Sequence, residues 1–448
     1  MMCKTKYISL LTITILYLPV CVSAQWLETT IAVGEEPFAL VYNSTSNKIY
    51  CANRSNNTVT VIDGATNSVN TTIISGGKPV ALVYNILNNK VYCANWDSDN
   101  VTVIDGETDS VITTTAAGTN PIGLVYNHTN DKVYCTNYVS DNVTVIHGVS
   151  DSVITTIPVH DKPWPLGYNS TNNKIYCANW ESDNVSVIDG ATDSVIATIE
   201  VGDQPRTVVH NPHNNKVYCS NNNNHNMTVI DGATDSVITF ITVGEAPLAI
   251  VYNSINNKVF CANYLDYDVT VIDGATDSVI AIITVGGGPY ALVYNSTNDK
   301  IYCANRWSDN VSVIDGETNC VIATIEVGDE PQALAWNPVQ NRTYVANSEG
   351  SSVSVIRDET GIEEDTEIAR NDIAIYPNPA QTFFTIHSHS PIYGIQIYDI
   401  LGALIWTEDI VELAEKSIIS LKQMNAGVYF LKVTTEDTEF IKKLIVTK

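Results

Sequence analysis

A unit of 42 residues is repeated eight times in the middle of this chain. Its landmark is the run Tyr50-Cys51-Ala52-Asn53, whose cysteine recurs at positions 93, 135, 177, 219, 261 and 303. An eighth copy carries Val345 in the cysteine position, and every step is 42 residues without insertion or deletion. A period of this length indicates one supersecondary unit per repeat, which buries its apolar surface against its neighbours.

Each repeat contains four β segments. In the fourth repeat they are 166–168, Lys174–Asn179, Asn184–Asp189 and 194–201. The third and fourth segments alternate apolar and polar residues, as half-buried strands do, and Gly, Pro, Asn and Asp separate the segments. The pattern therefore predicts an all-β fold, a β-propeller whose blades are four-stranded antiparallel sheets.

The two ends of the repeat array predict how the ring closes. First strands of the form Pro-x-x-x-x-Tyr-Asn begin at Pro37, Pro79, Pro121, Pro163, Pro205, Pro247, Pro289 and Pro331. The last repeat has three strands and stops near Ile356, whereas residues 28–34 form an extra strand before the first repeat. We expect this segment to complete the last blade and leave no free sheet edge. Eight blades follow from the count; a seven-bladed ring with one irregular unit is the alternative.

The repeat resembles the YVTN family of β-propellers. The resemblance rests on Tyr-Cys-Ala-Asn and on Asn-Val-(Thr/Ser)-Val-Ile-Asp-Gly, and it covers about 330 residues. Cysteine replaces the usual valine of the first segment in seven copies. The resemblance implies the fold but no single function, since the family includes surface-layer-like proteins and relatives of lactonase propellers.

The N-terminus has the pattern of a targeting segment. Lys4 and Lys6 precede an apolar run over 8–20, and Val22-Ser23-Ala24 follows, which predicts a signal peptide over 1–24 cleaved before Gln25. Lipidation at Cys21 is the alternative. Without residues 1–24 the chain has 21 basic and 49 acidic groups, a net charge of −28. This charge argues against nucleic acid and anionic membranes as partners, and no interior apolar run predicts a transmembrane anchor.

The period ends near residue 356. Residues 357–371 are predicted to be an acidic linker, and 372–448 a small Ig-like β-sandwich. The latter resembles the type A sorting domain of the type IX secretion system of Bacteroidota, in blocks over 375–380, 397–402, 424–433 and 442–446. The motif residues are Tyr376, Pro377, Asn378, Pro379, Gly402, Gly427 and Tyr429. The resemblance implies type IX secretion machinery as a partner, and a secreted protein or one on the outer-membrane surface of a Gram-negative bacterium. An Ig-like adhesion module is the alternative.

The cysteines and histidines do not predict a metal site or a cofactor. Seven cysteines occupy equivalent strand positions, where disulfide geometry is rarely met, so we interpret them as small buried apolar residues. Cys320 is the one that departs from this pattern. If strands are lettered a to d in chain order, the d–a and b–c loops share one face of the ring, the first face, and the a–b and c–d loops share the second face. His210 and His213 belong to the second face and His225 to the first, which argues against a shared metal ion.

The loops of the first face repeat aromatic residues beside carboxylates and asparagines, a composition typical of carbohydrate-binding surfaces. The candidate ligand-binding residues are Trp96, Asp99, Tyr138, Trp180, Asp183, Tyr264, Trp307 and Asp309. The alternatives are that the rings pack over neighbouring blades while the acids solvate the surface, or that the acids bind calcium. Near-identical loops favour multivalent binding over one catalytic site with paired carboxylates.

The sequence therefore predicts a non-enzymatic, secreted binding or adhesion module whose ligand is a glycan or a surface protein. A lactonase-like or polysaccharide-degrading propeller and a structural surface-layer component are the alternatives. On the second face the repeated Asp-Ser-Val resembles the O-glycosylation site of Bacteroidota, at Ser110, Ser152, Ser194, Ser236 and Ser278.

Overall fold

The computed structural model describes residues 25–358, 374–376, 383–399, 403–420, 425, 427–435 and 439–446. These residues form β-strands and no helix. The chain divides into two compact units, Met1–Thr360 and Gly361–Lys448. The signal peptide predicted over 1–24 and all but the first two residues of the predicted linker lie outside the described residues.

The first unit is an eight-bladed propeller, as predicted, and each blade is an antiparallel sheet with strand order a, b, c, d. The a strands of successive blades contact one another around the ring, including those of blades 8 and 1. The a strands are Pro37–Asn43, Pro79–Asn85, Pro121–Asn127, Pro163–Asn169, Pro205–Asn211, Pro247–Asn253, Pro289–Asn295 and Pro331–Asn337. The b strands are Lys48–Asn53, Lys90–Asn95, Lys132–Asn137, Lys174–Asn179, Lys216–Asn221, Lys258–Asn263, Lys300–Asn305 and Arg342–Asn347.

The c and d strands complete each blade toward the outside of the ring. The c strands are Thr58–Asp63, Asn100–Asp105, Asn142–His147, Asn184–Asp189, Asn226–Asp231, Asp268–Asp273, Asn310–Asp315 and Ser352–Asp358. The d strands of blades 1 to 7 are Val69–Ile74, Val111–Ala116, Val153–Pro158, Ser194–Glu200, Ser236–Thr242, Ser278–Thr284 and Cys320–Glu326. The d strand of blade 8 is Gln25–Ala32.

The hydrophobic core consists of clusters between neighbouring blades. Between blades 3 and 4, for example, Tyr134 and Val145 pack against Ile175, Cys177 and Ile188, and all five side chains are fully buried. Central strands covered on both faces are built from near-continuous apolar runs rather than from alternating residues. The prediction for the repeated cysteines is confirmed, because all seven are buried free thiols, whereas Cys320 is exposed.

The N-terminal strand closes the ring. Gln25–Ala32 pairs antiparallel with Ser352–Asp358, so the ends of the propeller form one blade, as the sequence predicted. The c strand extends two residues beyond the expected end at Ile356, because Arg357 and Asp358 pair with Trp26 and Gln25. These two residues therefore belong to blade 8 rather than to the linker.

A charged contact joins neighbouring blades near the second face. In blade 3 the Nζ of Lys132 lies 2.7 Å from the carboxylate of Asp193 in blade 4, and the hydroxyl of Tyr134 donates to the same carboxylate at 2.6 Å. The contact recurs as Lys48–Asp109, Lys90–Asp151, Lys174–Asp235, Lys216–Asp277 and, at the ring closure, Lys300–Asp358. Burial, and then the Asp193 hydrogen bond, raise the pKa of Tyr134, so the phenol remains a donor.

Asparagines form a second polar layer between the blades. The buried Asn127 at the end of an a strand donates from Nδ2 to Oδ1 of Asn173 in the next blade at 2.8 Å, while its own Oδ1 accepts from two amides of the a–b loop. Gly190 lies under this pair, and a Cβ there would come within 2.6 Å of both side chains. In the repeated Asp-Gly, the aspartate thus belongs to a turn, and the glycine lies where two blades approach each other closely.

The described residues of the second unit form five strands, Ala374–Tyr376, Phe383–Tyr398, Leu404–Ser420, Gly427–Thr435 and Glu439–Val446. The pairing of the long second strand changes along its length. Its first part pairs with Ala374–Tyr376 and its second part with Gly427–Thr435. Ile386 from the first part and Ile395 from the second share one buried cluster with Leu431 and Leu444. This small β unit agrees with the predicted fold class.

Candidate functional site

The two faces of the propeller contain the loops that the sequence assigned to them. In the b–c loop after Asn179, the carbonyl of Asp183 accepts a hydrogen bond from the amide of Val201. This bond joins the b–c loop to the d–a loop on the first face. His225 lies in the corresponding loop of blade 5, and its Nδ1 accepts from the amide of Ala246 at 3.2 Å. His210 is instead the next-to-last residue of an a strand and lies near Thr171 on the second face. The separation of the blade-5 histidines is confirmed.

Four aromatic rings form a continuous row on the first face across blades 2 to 4. The ring centroids of Trp96 and Tyr138 are 5.5 Å apart, those of Tyr138 and Trp164 are 5.4 Å apart, and those of Trp164 and Trp180 are 5.8 Å apart. Each ring is half-buried, so part of its surface remains open to solvent. We call these four rings the aromatic row.

A second group of rings lies on blades 6 and 7. The centroid of Tyr264 is 4.6 Å from that of Trp307 and 6.0 Å from that of Tyr290, and Tyr267 packs edge-on to Trp307. The side chain of Trp307 is 49% exposed, and Gly288 lies against it with a positive φ of 66°. The five rings chosen from the sequence thus fall into two groups, with Trp96, Tyr138 and Trp180 in the first and Tyr264 and Trp307 in the second.

The candidate carboxylates have a structural role on this face. One oxygen each of Asp99, Asp183 and Asp309 accepts a hydrogen bond from the backbone amide of Asn120, Gln204 or Glu330, at 2.9 Å in all three cases. Each amide belongs to the loop that leads to the next blade, so the carboxylate fixes that loop. All three aspartates have φ between 52° and 53°, a left-handed conformation that aspartate and asparagine tolerate better than most residues. Their second oxygens are the groups left for a ligand.

A polar cleft lies beside Trp180. It has a volume of about 210 Å³ and is lined by Trp180, Glu181, Asp183, Asp203, Gln204 and Asn223. One aromatic wall with carboxylates and amides opposite is the chemistry expected for holding a sugar. A wider cleft of about 560 Å³ lies at the ring closure, and it is lined by small and polar residues with no aromatic ring. Of these two clefts, the smaller one combines an aromatic ring with polar groups, so we take it as the candidate site.

Three residues of this surface were missed by the sequence analysis. Trp164, Arg206 and Tyr290 are each the second residue of an a strand, a position that the analysis assigned to the strand and not to the face. The signal was available, because aligned repeats show apolar residues at this position in six blades and Arg206 or Gln332 in the other two. Recognising it required knowing that this end of the strand opens onto the first face.

Arginines stack on the rings in both groups. The guanidinium of Arg206 lies 4.5 Å from the ring centroid of Trp164 and 5.5 Å from that of Trp180. Arg306 lies over Tyr290 at 5.4 Å and pairs with Glu330. Burial alone would lower the pKa of Arg306, but the hydrogen bond and charge of Glu330 raise it overall. Arg54 stacks on Phe38 and pairs with Glu36 at 2.8 Å.

On the second face, the aspartate of the Asp-Ser-Val repeats takes part in the contact between blades. Asp193 is the inter-blade acceptor described above, whereas Ser194 is exposed and its hydroxyl contacts that of Thr192. The aspartate therefore has a structural role in the contact between blades. The accessible serine leaves the proposed O-glycosylation as a prediction, which an intact mass above that of the bare chain would support.

Few groups could act as metal ligands or anchors. No set of three histidine, cysteine, aspartate or glutamate side chains converges to share an ion in the described part of the chain. Nor do the described residues include a helix with the length and hydropathy to cross a membrane.

Of the sorting-domain motif, Tyr429 donates to the carbonyl of Asn425 at 3.0 Å, and Gly427 begins the same strand. Tyr376 ends a strand, while Pro377, Asn378, Pro379 and Gly402 lie outside the described residues.

Comparisons with known proteins support the two units separately. Residues 374–447 match the family described as the secretion system C-terminal sorting domain. No curated protein matches the chain. Among solved structures, Kuenenia stuttgartiensis hydrazine synthase is similar with a TM-score of 0.54 and 18% identity, covering 72% of this chain and 96% of that one. Saccharomyces cerevisiae Sqt1 is similar with a TM-score of 0.65 and 12% identity, covering 76% and 99%. At these identities the likeness concerns the fold alone, whereas the sorting domain indicates export by type IX secretion to the cell surface or extracellular space.

Proposed function

We propose that the propeller is a non-enzymatic glycan-binding module of the bacterial surface, exported by type IX secretion. The observation that supports this proposal is the aromatic row beside the polar cleft of blades 4 and 5. Half-exposed tryptophans present flat apolar surfaces that match the apolar face of a sugar ring, and Asp203, Gln204 and Asn223 supply hydrogen-bonding groups at its edge.

The arrangement of the rings refines the expected mode of binding. Three centroid separations of 5.4–5.8 Å make the row continuous over blades 2 to 4, so one extended chain of sugars fits it better than eight separate monosaccharides. The rings support one another laterally and are held by the propeller wall, so little conformational entropy is lost on binding.

The test is a binding screen of the purified protein against a panel of polysaccharides, with an assay for released sugar beside it. We expect binding without sugar release, and loss of binding in Trp96→Ala/Trp180→Ala. Trp307→Ala is the matched control, because it removes a ring of the other group and should retain binding. Release of sugar would instead indicate the polysaccharide-degrading alternative, and no binding to any member of the panel would contradict the proposal.

A structural surface-layer role is the second candidate, supported by the outermost strands. Their solvent-facing edges carry exposed Val-Ile pairs, at Val111-Ile112, Val153-Ile154, Val195-Ile196, Val279-Ile280 and Val321-Ile322. Edge strands with exposed apolar residues and few charges are templates for pairing with another chain; of these five strands, two carry one charged residue each, Glu200 and Glu326. Sedimentation of the wild type against Ile112→Lys/Ile196→Lys/Ile280→Lys tests this role: assemblies lost in the variant would support it, and a monomeric wild type would contradict it.

A further inference from the structure

We infer that the glycan bound at the aromatic row carries a carboxylate on its sugar ring, and that Arg206 is the residue that recognises this carboxylate. The inference rests on the proposed glycan-binding function and names the class of sugar. It follows from a comparison of three arginines on the same face of the ring.

Two of these arginines are neutralised within the protein. Arg54 pairs with Glu36, and Arg306 pairs with Glu330, so each stacks on a ring while its charge is satisfied by a carboxylate. Both acids occupy the same place in the repeat, the loop residue directly before the first strand of a blade.

Arg206 differs in its charge environment. It stacks on two tryptophans, but no carboxylate of the described residues lies within ion-pair distance of its guanidinium. Arg206 lies in an a strand, whereas Arg54 and Arg306 occupy equivalent b–c loop positions. The loop position of Glu36 and Glu330 is occupied here by the neutral Gln204, two residues before Arg206. In a chain with 49 acidic residues, this leaves a guanidinium without its own counter-ion at the end of the aromatic row.

The geometry fits a carboxylate that approaches from the ligand. A guanidinium that stacks by its flat face keeps its N–H donors in its own plane, and such a fork binds a carboxylate through two parallel hydrogen bonds. A sugar on Trp180 would be bounded by Gln204 on one side, since both line the same cleft. Glu181, Asp183 and Asp203 line the same cleft, where salt does not screen their repulsion of an anionic ligand. Glu181 is paired with Lys162, and one oxygen of Asp183 accepts from the backbone amide of Gln204, so part of this negative charge is already satisfied. The more distant acids of this face are screened by salt beyond about 8 Å. A short uronic-acid chain is therefore the fitting ligand.

A matched pair of probes tests the inference. Trigalacturonate and its fully methyl-esterified form share one backbone and differ in charge, and their affinities are measured by calorimetry with the full chain. We expect the acid to bind at least about tenfold more tightly than the ester, which is roughly 1.4 kcal/mol. Arg206→Gln should abolish this preference, whereas Arg306→Gln, the control at a neutralised site, should keep it.

A second variant covers the case in which Arg206→Gln disturbs the rings. Gln204→Glu leaves Arg206 and both tryptophans in place and adds a carboxylate at the loop position used by Glu36 and Glu330, so it should also remove the preference. Equal affinity for acid and ester, or a preference that persists in both variants, would overturn the inference while leaving glycan binding intact. If the chain binds neither probe but binds neutral glycans, the inference fails alone; binding to no glycan at all refutes the proposed function itself.

Discussion

The contact between blades 3 and 4 allows a quantitative test of how the ring is held together. Asp193→Ala removes an acceptor that serves the Nζ of Lys132 at 2.7 Å and the hydroxyl of Tyr134 at 2.6 Å. The side chain of Asp193 is 8% exposed and that of Lys132 12%, so water replaces the lost partner poorly. Breaking a buried pair by removing one member costs about 3–5 kcal/mol, and we expect a loss of this size in the free energy of unfolding.

The chain supplies its own control for this measurement. At the junction of blades 6 and 7 the same positions hold Lys258 and Asn319, with the Nζ 3.0 Å from Oδ1 and Phe260 in place of the tyrosine. Asn319→Ala therefore removes one hydrogen bond to a charged group and leaves no phenol hydroxyl without an acceptor. We expect it to lower the free energy of unfolding by about 1.5–3 kcal/mol. The Nζ of Lys258 also donates to the carbonyl of Gly316 at 2.8 Å, and Asn319→Ala leaves this hydrogen bond in place.

Urea denaturation followed by far-UV circular dichroism measures both variants against the wild type. Equal slopes in all three proteins would show that the comparison of midpoints reports stability alone. Equal losses in Asp193→Ala and Asn319→Ala would refute the reasoning, because the carboxylate would then contribute nothing beyond a neutral amide. Asp193→Asn, which keeps an acceptor but loses the charge, should fall between the wild type and Asp193→Ala.

Three further predictions address the thiols, the ring closure and the response to acid. Burial raises the pKa of the Cys177 thiol and of its equivalents, so in folded protein that begins at Gln25 a maleimide reagent should label Cys320 and none of the seven repeated cysteines; Cys320→Ser should abolish labelling until urea is added. Deleting residues 25–32 exposes the edge of Ser352–Asp358, and a lower unfolding midpoint with new self-association in sedimentation is expected, whereas an unchanged protein would contradict closure by this strand. The backbone amide of Thr192, with its hydroxyl, lowers the pKa of Asp189, so its stabilisation is present above about pH 4 and is lost as pH falls through the lowered value. Asp189→Asn should therefore destabilise the protein at pH 7 and lose this difference near pH 2, and a difference that persists there would contradict the assignment.

The fold could be predicted from the sequence because the residues that form each strand of a blade recur eight times along the chain. A single b strand such as Lys174–Asn179 is a short apolar run that could belong to several folds, but its recurrence at a fixed period restricts it to a ring of equal units. The missing fourth strand of the last repeat and the surplus strand before the first repeat then determine the closure. That the last strand of blade 8 extends to Asp358 was harder to predict from the sequence, since it depends on pairing with Gln25, more than 300 residues away.

The site was only partly accessible to the same reasoning. Loop position assigned Trp96, Tyr138, Trp180 and Trp307 to one face, and the structure places them there. Trp164, which lies in a strand, joins Tyr138 to Trp180, whereas Tyr264 and Trp307 contact each other directly across blades 6 and 7. The carboxylates of Asp99, Asp183 and Asp309 were interpreted as ligand groups, but one oxygen of each is used to fix an inter-blade loop.

The sequence by itself determined the architecture, the number of blades, the burial of the cysteines and the nature of the C-terminal unit, because each of these depends on period, spacing or a local motif. The tertiary structure decided which side chains meet. Arg206 and Trp180 are 26 residues apart in the chain, and Lys132 and Asp193 are 61 apart, yet both pairs are in contact because successive blades pack side by side. Such contacts between blades follow from packing and cannot be read from the spacing of the two residues in the sequence.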